Sequence, residues 1–294
     1  MINKTPLFSI VIPTFNHGHL IGRCLDSVLT QSYDNWEAIV VNNFSEDNTI
    51  GTVYSYNDPR INLVNNANGG IIAVSRNKGI SMAQGEWICF LDADDWWTPN
   101  KLEECLPHLN DYDLIYHDLN RYDNKGIILG RKIKGRELSQ NIIRDLMVNG
   151  NGIPNSSVVV RSSILQKIHG FEEKKEFVAI EDSDCWLRIA EITNRFKYIP
   201  KTLGAYWIGG NVSVSIKQIE REQMLLNSHI HKLNIKDQKL ASKNLKYKQA
   251  RIYHKLSMFK QARKAYMLSI EIDSFFRDCS SILLSFISIF RIKI

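Results

Sequence analysis

At 294 residues, with 37 Lys and Arg against 31 Asp and Glu, 44% hydrophobic residues and 7 prolines, the chain has an ordinary globular composition. That excludes a disordered, collagen-like or low-complexity polymer and leaves room for one large domain or two small ones with a substrate cleft. The net charge of +6 is unevenly spread: residues 215–294 carry 16 basic and 6 acidic side chains, net +10, and the remainder is net −4, which predicts that a phosphate-rich partner, nucleic acid or anionic membrane, meets the basic end.

The opening segment MINKTPLFSIVIPTFN has an apolar run too short for a signal-peptide core. Cys24, Cys89, Cys105, Cys185 and Cys279 are odd in number and show no CxxC spacing, so reduced thiols are expected, and with them a cytosolic location. Apolar β-branched runs at 8–12, 38–41, 61–64 and 87–91 predict strands, separated by helical-period segments at 20–29, 48–56 and 71–83. Continuous apolar strands with helical crossovers predict a mostly parallel α/β sheet with helices on both faces. Ligands of such sheets bind beyond the carboxyl ends of the strands.

Those ends read Pro13-Thr14-Phe15-Asn16, Asn42-Asn43-Phe44-Ser45 and Asp92-Ala93-Asp94-Asp95. No GxGxxG follows the first strand and no GxxxxGK[ST] occurs anywhere, which argues against a dinucleotide enzyme and a P-loop NTPase. Three carboxylates after a buried strand repel one another unless a cation neutralises them, and hard oxygen ligands suit Mg²⁺ or Mn²⁺. Asp94, helped by Asp95, is the expected metal ligand; the competing role is capping of the next helix. His17, in the loop after the first strand, is expected to be structural or solvent-facing.

FSIVIPTFNHGHLIGRCLDSVLTQSYDNWEAIVVNNFSEDNT followed by SRNKGISMAQGEWICFLDADDWW resembles the nucleotide-sugar domain of family 2 glycosyltransferases, which have the GT-A fold. The likeness runs strongly over residues 7–110 and more weakly to about 213. It implies that Pro13 and Thr14 line the nucleobase, that Asp92-Ala93-Asp94 is the DxD motif holding donor ribose and metal, and that Arg76 lies near the nucleotide; a solvated helix-face charge is the plainer role for Arg76. The family usually has two aspartates where this chain has Asn42 and Asn43. The second accepts the N3–H of uridine, and Asn43 can still accept through its amide oxygen, without charge. UDP is therefore the expected donor nucleotide, a turn-forming Asn pair being the alternative.

The string ED-x-D-x-W-L-R at 181–188 resembles the family's base motif. An inverting transfer needs a carboxylate to deprotonate the acceptor hydroxyl, and Asp182 is the first choice, with Glu181 and Asp184 behind it; acidic residues in a first helical turn also complement the helix dipole. Trp186, with Asp184, is a candidate acceptor contact, and Trp97 is preferred to Trp96 as a ligand contact, core packing being the alternative for each. The loop 149–157 reads as an acceptor-site lid or a connector. Asn211 or Ser213 stands where relatives place a residue near the diphosphate.

Strand and helix signals alternate to residue 214 (strands at 113–117, 157–160, 198–199 and 205–208; helices at 101–109, 142–148, 163–168 and 182–192), after which only helical pattern remains. The expected organisation is a donor-binding half, 1–110, an acceptor and base half, 111–214, and a basic helical region, 215–294. Nine basic residues and no acid lie between Gln238 and Ile270. The final segment is amphipathic, with Phe276, Cys279, Leu283, Phe286, Ile287 and Phe290 on one side. Its acid-free stretch would span only about 15–17 Å against roughly 30 Å of hydrocarbon, so an in-plane anchor is expected, or packing on the enzyme body.

The reading is a metal-dependent inverting glycosyltransferase, acting on a lipid-linked saccharide for bacterial surface polysaccharide at the inner membrane face, with no nucleic acid as partner. The alternative is a nucleic-acid- or membrane-binding protein with an inactive scaffold, supported by the basic tail with Tyr247, Tyr253 and Tyr266; such a protein has no use for the DxD and ED motifs.

Overall fold

The structure, a computed structural model, describes residues 8–123, 132–209, 215–270, 283–285 and 287. The chain divides into two compact units, one of residues 1–140 and 152–210, the other of 141–151 and 211–294.

The first unit is built on an eight-stranded sheet. Its first half alternates as the apolar runs predict: β1 (Phe8–Thr14), α1 (Ile21–Leu29), β2 (Trp36–Asn42), α2 (Thr49–Ser55), β3 (Ile61–Asn65), α3 (Ile72–Met82) and β4 (Trp87–Phe90). All of β1 and β4 is buried, as strands covered on both faces must be. Helix α1 buries Ile21, Cys24, Leu25 and Val28, the 3.6-residue stripe of a one-faced helix. These side chains share one core with Phe8, Ile10, Val40, Trp87, Cys89 and Leu102.

The second half adds β5 (Trp96–Trp97), α4 (Lys101–Cys105), β6 (Leu114–Tyr122), β7 (Val159–Arg161), α6 (Ser162–Lys167), α7 (Glu181–Ile192) and β8 (Phe196–Trp207). Helix α5 (Ile142–Asn149), which lies between β6 and β7 in sequence, belongs to the other unit. The strand order is β3-β2-β1-β4-β7-β6-β8-β5. Strands β3, β2, β1 and β4 run parallel, as do β6 and β8, while β7 is antiparallel to both β4 and β6, and β5 to β8. The strand pieces expected at 198–199 and 205–208 are one strand. Its register against β6 jumps from His117↔Ile199 to Asp118↔Thr202, skipping Pro200 and Lys201. A proline cannot donate to the ladder, so the strand bulges there and its periodicity breaks.

In the second unit α5 joins α8 (Ile216–His229), α9 (Ile235–Lys255) and α10 (Phe259–Leu268). Val148 packs with Leu226, Leu233, Ala241 and Leu245. Arg144 pairs with Asp237 at 2.9 Å, and Asn244 donates to the Val148 carbonyl. Of the basic run on α9 and α10, Lys239, Lys248, Lys255, Lys260, Arg263 and Lys264 are exposed and Lys243 is buried. Tyr266 is completely buried in a second cluster with Ala250, Ala262 and Ala265, against which Tyr247 and Tyr253 pack. That burial removes Tyr266 from the rings offered to nucleic-acid bases. No helix among the described residues is long and apolar enough to cross a membrane. The anchor expected at 276–290 lies outside the described residues except for 283–285 and 287, as do Asn211 and Ser213.

Candidate active site

The carboxyl ends of β1, β2 and β4 lie side by side, with Thr14 level with Asn42 and Val11 with Phe90. Pro13 and Thr14 are buried, and Thr14 Oγ1 has no hydrogen-bond partner, an acceptor and donor with spare valence at the ligand edge. Asn42 is a turn former: its amide oxygen accepts from the Ser45 N–H and hydroxyl, and its NH₂ donates to Asn65. Asn43 Oδ1 accepts the backbone N–H of Asn68 at 2.9 Å. A backbone N–H can only donate, so this bond settles the amide orientation and leaves the NH₂ end for a ligand, where an accepting oxygen was expected.

Beyond β4, Asp92 and Asp94 flank Ala93. Neither they nor Asp95 cap a helix, because α4 starts at Lys101 behind Asn100. Burial, and next the negative charge of Asp92, push the Asp94 carboxyl up to about 6. A cation would relieve that cost, and an all-oxygen donor set suits Mn²⁺ or Mg²⁺. Among the described residues no three His, Cys, Asp or Glu side chains converge as a metal cage; a Mg²⁺-type site uses one or two carboxylates plus substrate phosphates. Asp95, expected beside Asp94 on the metal, is completely buried; its Oδ1 accepts the Trp207 N–H at 2.9 Å, which pegs the motif to the end of β8, and its Oδ2 has no hydrogen-bond partner.

Arg76 is not a solvated charge. It is 3% exposed on α3, donates from Nη2 to Asp92 Oδ1 at 2.9 Å and from Nη1 to Glu181 Oε1 at 2.7 Å. Burial alone would lower its pKa, but the two carboxylates more than reverse that, so the guanidinium stays charged. One side chain thus ties the end of β4 to the start of α7, 105 residues apart in sequence from Arg76 to Glu181. The 3₁₀ turn at Asn155–Ser157 closes the back: the Ser156 hydroxyl accepts the Asp92 N–H at 3.2 Å, and Asn155 Nδ2 is 3.4 Å from Asp92 Oδ1. This part of the expected lid or connector is a buried wall.

Next to Glu181, Asp182 is partly buried and accepts the Ser183 N–H at 2.6 Å. Burial, followed by the Glu181 charge, raises its pKa to about 7. Asp184 does not reach the cleft; it is buried and paired with Arg188 at 2.7 Å. Trp186 is 0% exposed, packed with Phe90 and Phe171, so it has no face for an acceptor sugar. Trp97 is likewise fixed in the core: its N–H donates to Ser27, its indole N–H to the Ser156 carbonyl, and the buried Lys101 Nζ sits 3.7 Å over its ring.

The ring that reaches the surface is Trp96. Arg23 of α1 stacks on it at 3.6 Å, lies 5.0 Å from Trp207, and donates to the Asp94 carbonyl at 3.1 Å. Tyr122 completes the group, 4.6 Å from Trp96. Tyr206, half-buried on β8, has its pKa raised by burial first and then by the negative charges of Asp95, Asp92, Asp94 and Asp182. Sequence reasoning missed Arg23, Tyr122 and Tyr206; the paired tryptophans after the DxD were the only signal of an aromatic wall.

The sequence profile of Glycosyl transferase family 2 matches residues 9–168. A UDP-Glc:alpha-D-GlcNAc-diphosphoundecaprenol beta-1,3-glucosyltransferase of Escherichia coli is 33% identical over 189 residues, 64% of this chain and 71% of that protein. A hyaluronan synthase of Pasteurella multocida is 31% identical over 208 residues, 68% of this chain but 20% of the synthase. Among solved structures, S. aureus TarS in complex with UDP superposes with a TM-score of 0.57 at 16% identity, covering 95% of this chain and 90% of that one. A mannosyltransferase from Pyrobaculum calidifontis, in complex with GDP-Man and Mn²⁺, gives 0.63 at 17% identity, covering 98% and 81%. With the carboxylates at the sheet edge and the order of strands already described, these matches place the chain in glycosyltransferase family 2, with the GT-A fold and with relatives that build bacterial surface polysaccharides.

Proposed function

We propose that the enzyme transfers a sugar, with inversion at the anomeric carbon, from a UDP-linked donor to a hydroxyl of a lipid-linked saccharide in surface-polysaccharide synthesis. The observation that carries this reading is the Arg76 fork, which brings Asp92 and the Glu181-Asp182 pair to one edge of the cleft. Pro13, Thr14 and Asn43 line the base, Asp92 faces the ribose, and Asp182 takes the acceptor proton. Asp94 would hold a divalent ion, Mn²⁺ or Mg²⁺, whose charge would neutralise the leaving diphosphate. The UDP assignment is supported by the E. coli relative, named for UDP-Glc and a diphosphoundecaprenol acceptor, and by the UDP complex of TarS. The exposed basic face of α9 and α10 suits anionic lipid, each Lys or Arg near such a surface adding about 1 kcal/mol.

Incubation with UDP-Glc, UDP-GlcNAc and GDP-Man, plus a polyprenyl diphosphate-linked saccharide, tests the reaction. UDP release with a product of inverted anomeric configuration is expected from a UDP-sugar in Mn²⁺ or Mg²⁺, and its loss on adding EDTA. Turnover of GDP-Man alone, retention of configuration, or activity indifferent to EDTA would each overturn the corresponding part. Full-length chain is expected to sediment with vesicles containing anionic lipid, and chain lacking residues 272–294 to stay in the supernatant. Equal partitioning of the two removes the anchor.

A further inference from the structure

Phe44 occupies a position the fold alone does not favour. Its φ of +53° lies in the left-handed region, which disfavours a bulky L side chain, and the residue is 58% exposed. The backbone on either side is pinned. The Asn43 N–H donates to the Thr14 carbonyl at 2.9 Å, and Ser45 Oγ accepts the Asn16 N–H at 2.8 Å while donating to Asn42. From the facing loop the Asn16 amide oxygen accepts the Glu46 N–H at 2.8 Å. These bonds lace the loop after β2 to the loop after β1, where Phe15 is also a large exposed ring, at 49%. Two unburied aromatic side chains therefore stand on adjoining loops at the carboxyl edge of neighbouring parallel strands, beside the unpartnered Thr14 hydroxyl and the Asn43 amide. Neither ring contributes to the core, and strain held in place by the surrounding hydrogen bonds is characteristic of ligand sites.

We propose that Phe44 is a specificity-determining contact of the donor nucleobase, its ring packing on the pyrimidine while the Asn43 NH₂ donates to a base carbonyl; this rests on the nucleotide-sugar reading above. Aromatic rings stack on any base, so the discrimination comes from the Asn43 NH₂, which the stacked ring holds in reach of a uracil carbonyl; adenine has no carbonyl to offer it. Glycine adopts the observed φ without strain, so Phe44→Gly removes the ring and leaves the loop intact.

Calorimetric titration of the purified full chain with UDP, ADP and inorganic pyrophosphate, all with Mn²⁺, tests this. Phe44→Gly is expected to weaken UDP binding roughly tenfold, to narrow the preference for UDP over ADP, and to leave pyrophosphate binding and the melting temperature no lower than in the wild type. Phe44→Tyr is expected to bind UDP within about twofold of the wild type, because it restores the ring. UDP binding unchanged in Phe44→Gly overturns the proposal, as does an equal loss for UDP and pyrophosphate. A wild type that binds no nucleoside diphosphate overturns the donor reading itself, and this inference with it, a result distinct from a wild type and a variant that bind alike.

Discussion

Asp182→Asn is expected to lower the rate of sugar transfer by about 10²–10⁴-fold, the usual contribution of a positioned general base, while donor binding changes by less than about twofold. The carboxyl is raised to about 7 by burial and by its neighbour Glu181, so near neutral pH a substantial fraction is ionised and still basic enough to draw a proton from a hydroxyl under attack. The active form is the deprotonated one. The wild-type rate should therefore fall tenfold per pH unit below about 7, and the residual rate of the variant should lack that limb. Glu181 offers the contrast, because its carboxylate is already engaged by Arg76 at 2.7 Å. Glu181→Gln should perturb stability and donor binding along with rate. A fully active Asp182→Asn rejects the assignment; abolition of chemistry alone by Glu181→Gln transfers it to Glu181.

The same group makes a stability statement of definite sign. A carboxyl whose folded pKa is raised above its ordinary value favours folding in the protonated form, so its contribution is fully present below the unfolded pKa and is lost as pH rises through about 7. Asp182→Asn should then melt higher than the wild type at pH 8 and at nearly the same temperature at pH 4. Gain of stability with loss of rate is the signature of a residue held for chemistry.

The donor half was readable because buried parallel strands are continuous apolar runs and their polar ends stand out. Strand β5 has only Trp96 and Trp97, too short for any periodicity, and β8 was split at Pro200 because a bulge erases the alternation. Helix α5 looked like part of the sheet domain, yet groups with α8–α10: periodicity reports that a helix has an apolar face, not which partner covers it. The same limit explains the tryptophans. Trp97 and Trp186 are core and Trp96 is at the surface, a distinction made by burial that residue type does not carry. The DxD and ED motifs were visible singly, but their joining through Arg76 is a tertiary fact, as is the Arg23 stack over Trp96.

Arg76→Met is expected to be the most damaging single change to the folded state. It strands Glu181, which is nearly buried, and removes the partner of Asp92, so two carboxylates face each other without a cation. Breaking a buried pair from one side costs about 3–5 kcal/mol, or roughly 6–20 °C in melting temperature for a domain of this size. Thermal melts of the two proteins at pH 7.5 check it; a shift under about 2 °C would mean the fork contributes little. Arg76→Lys distinguishes charge from geometry. A single ammonium restores the charge but cannot reach two carboxylates as a planar fork does, so stability should recover in part while kcat stays depressed. The double change Arg76→Met with Glu181→Met removes both members of the buried pair and should regain most of the lost stability, because well-packed apolar side chains often replace a buried ion pair at no net cost. It should not regain transfer, since Asp92 would then lack the tie that sets its place against Asp182.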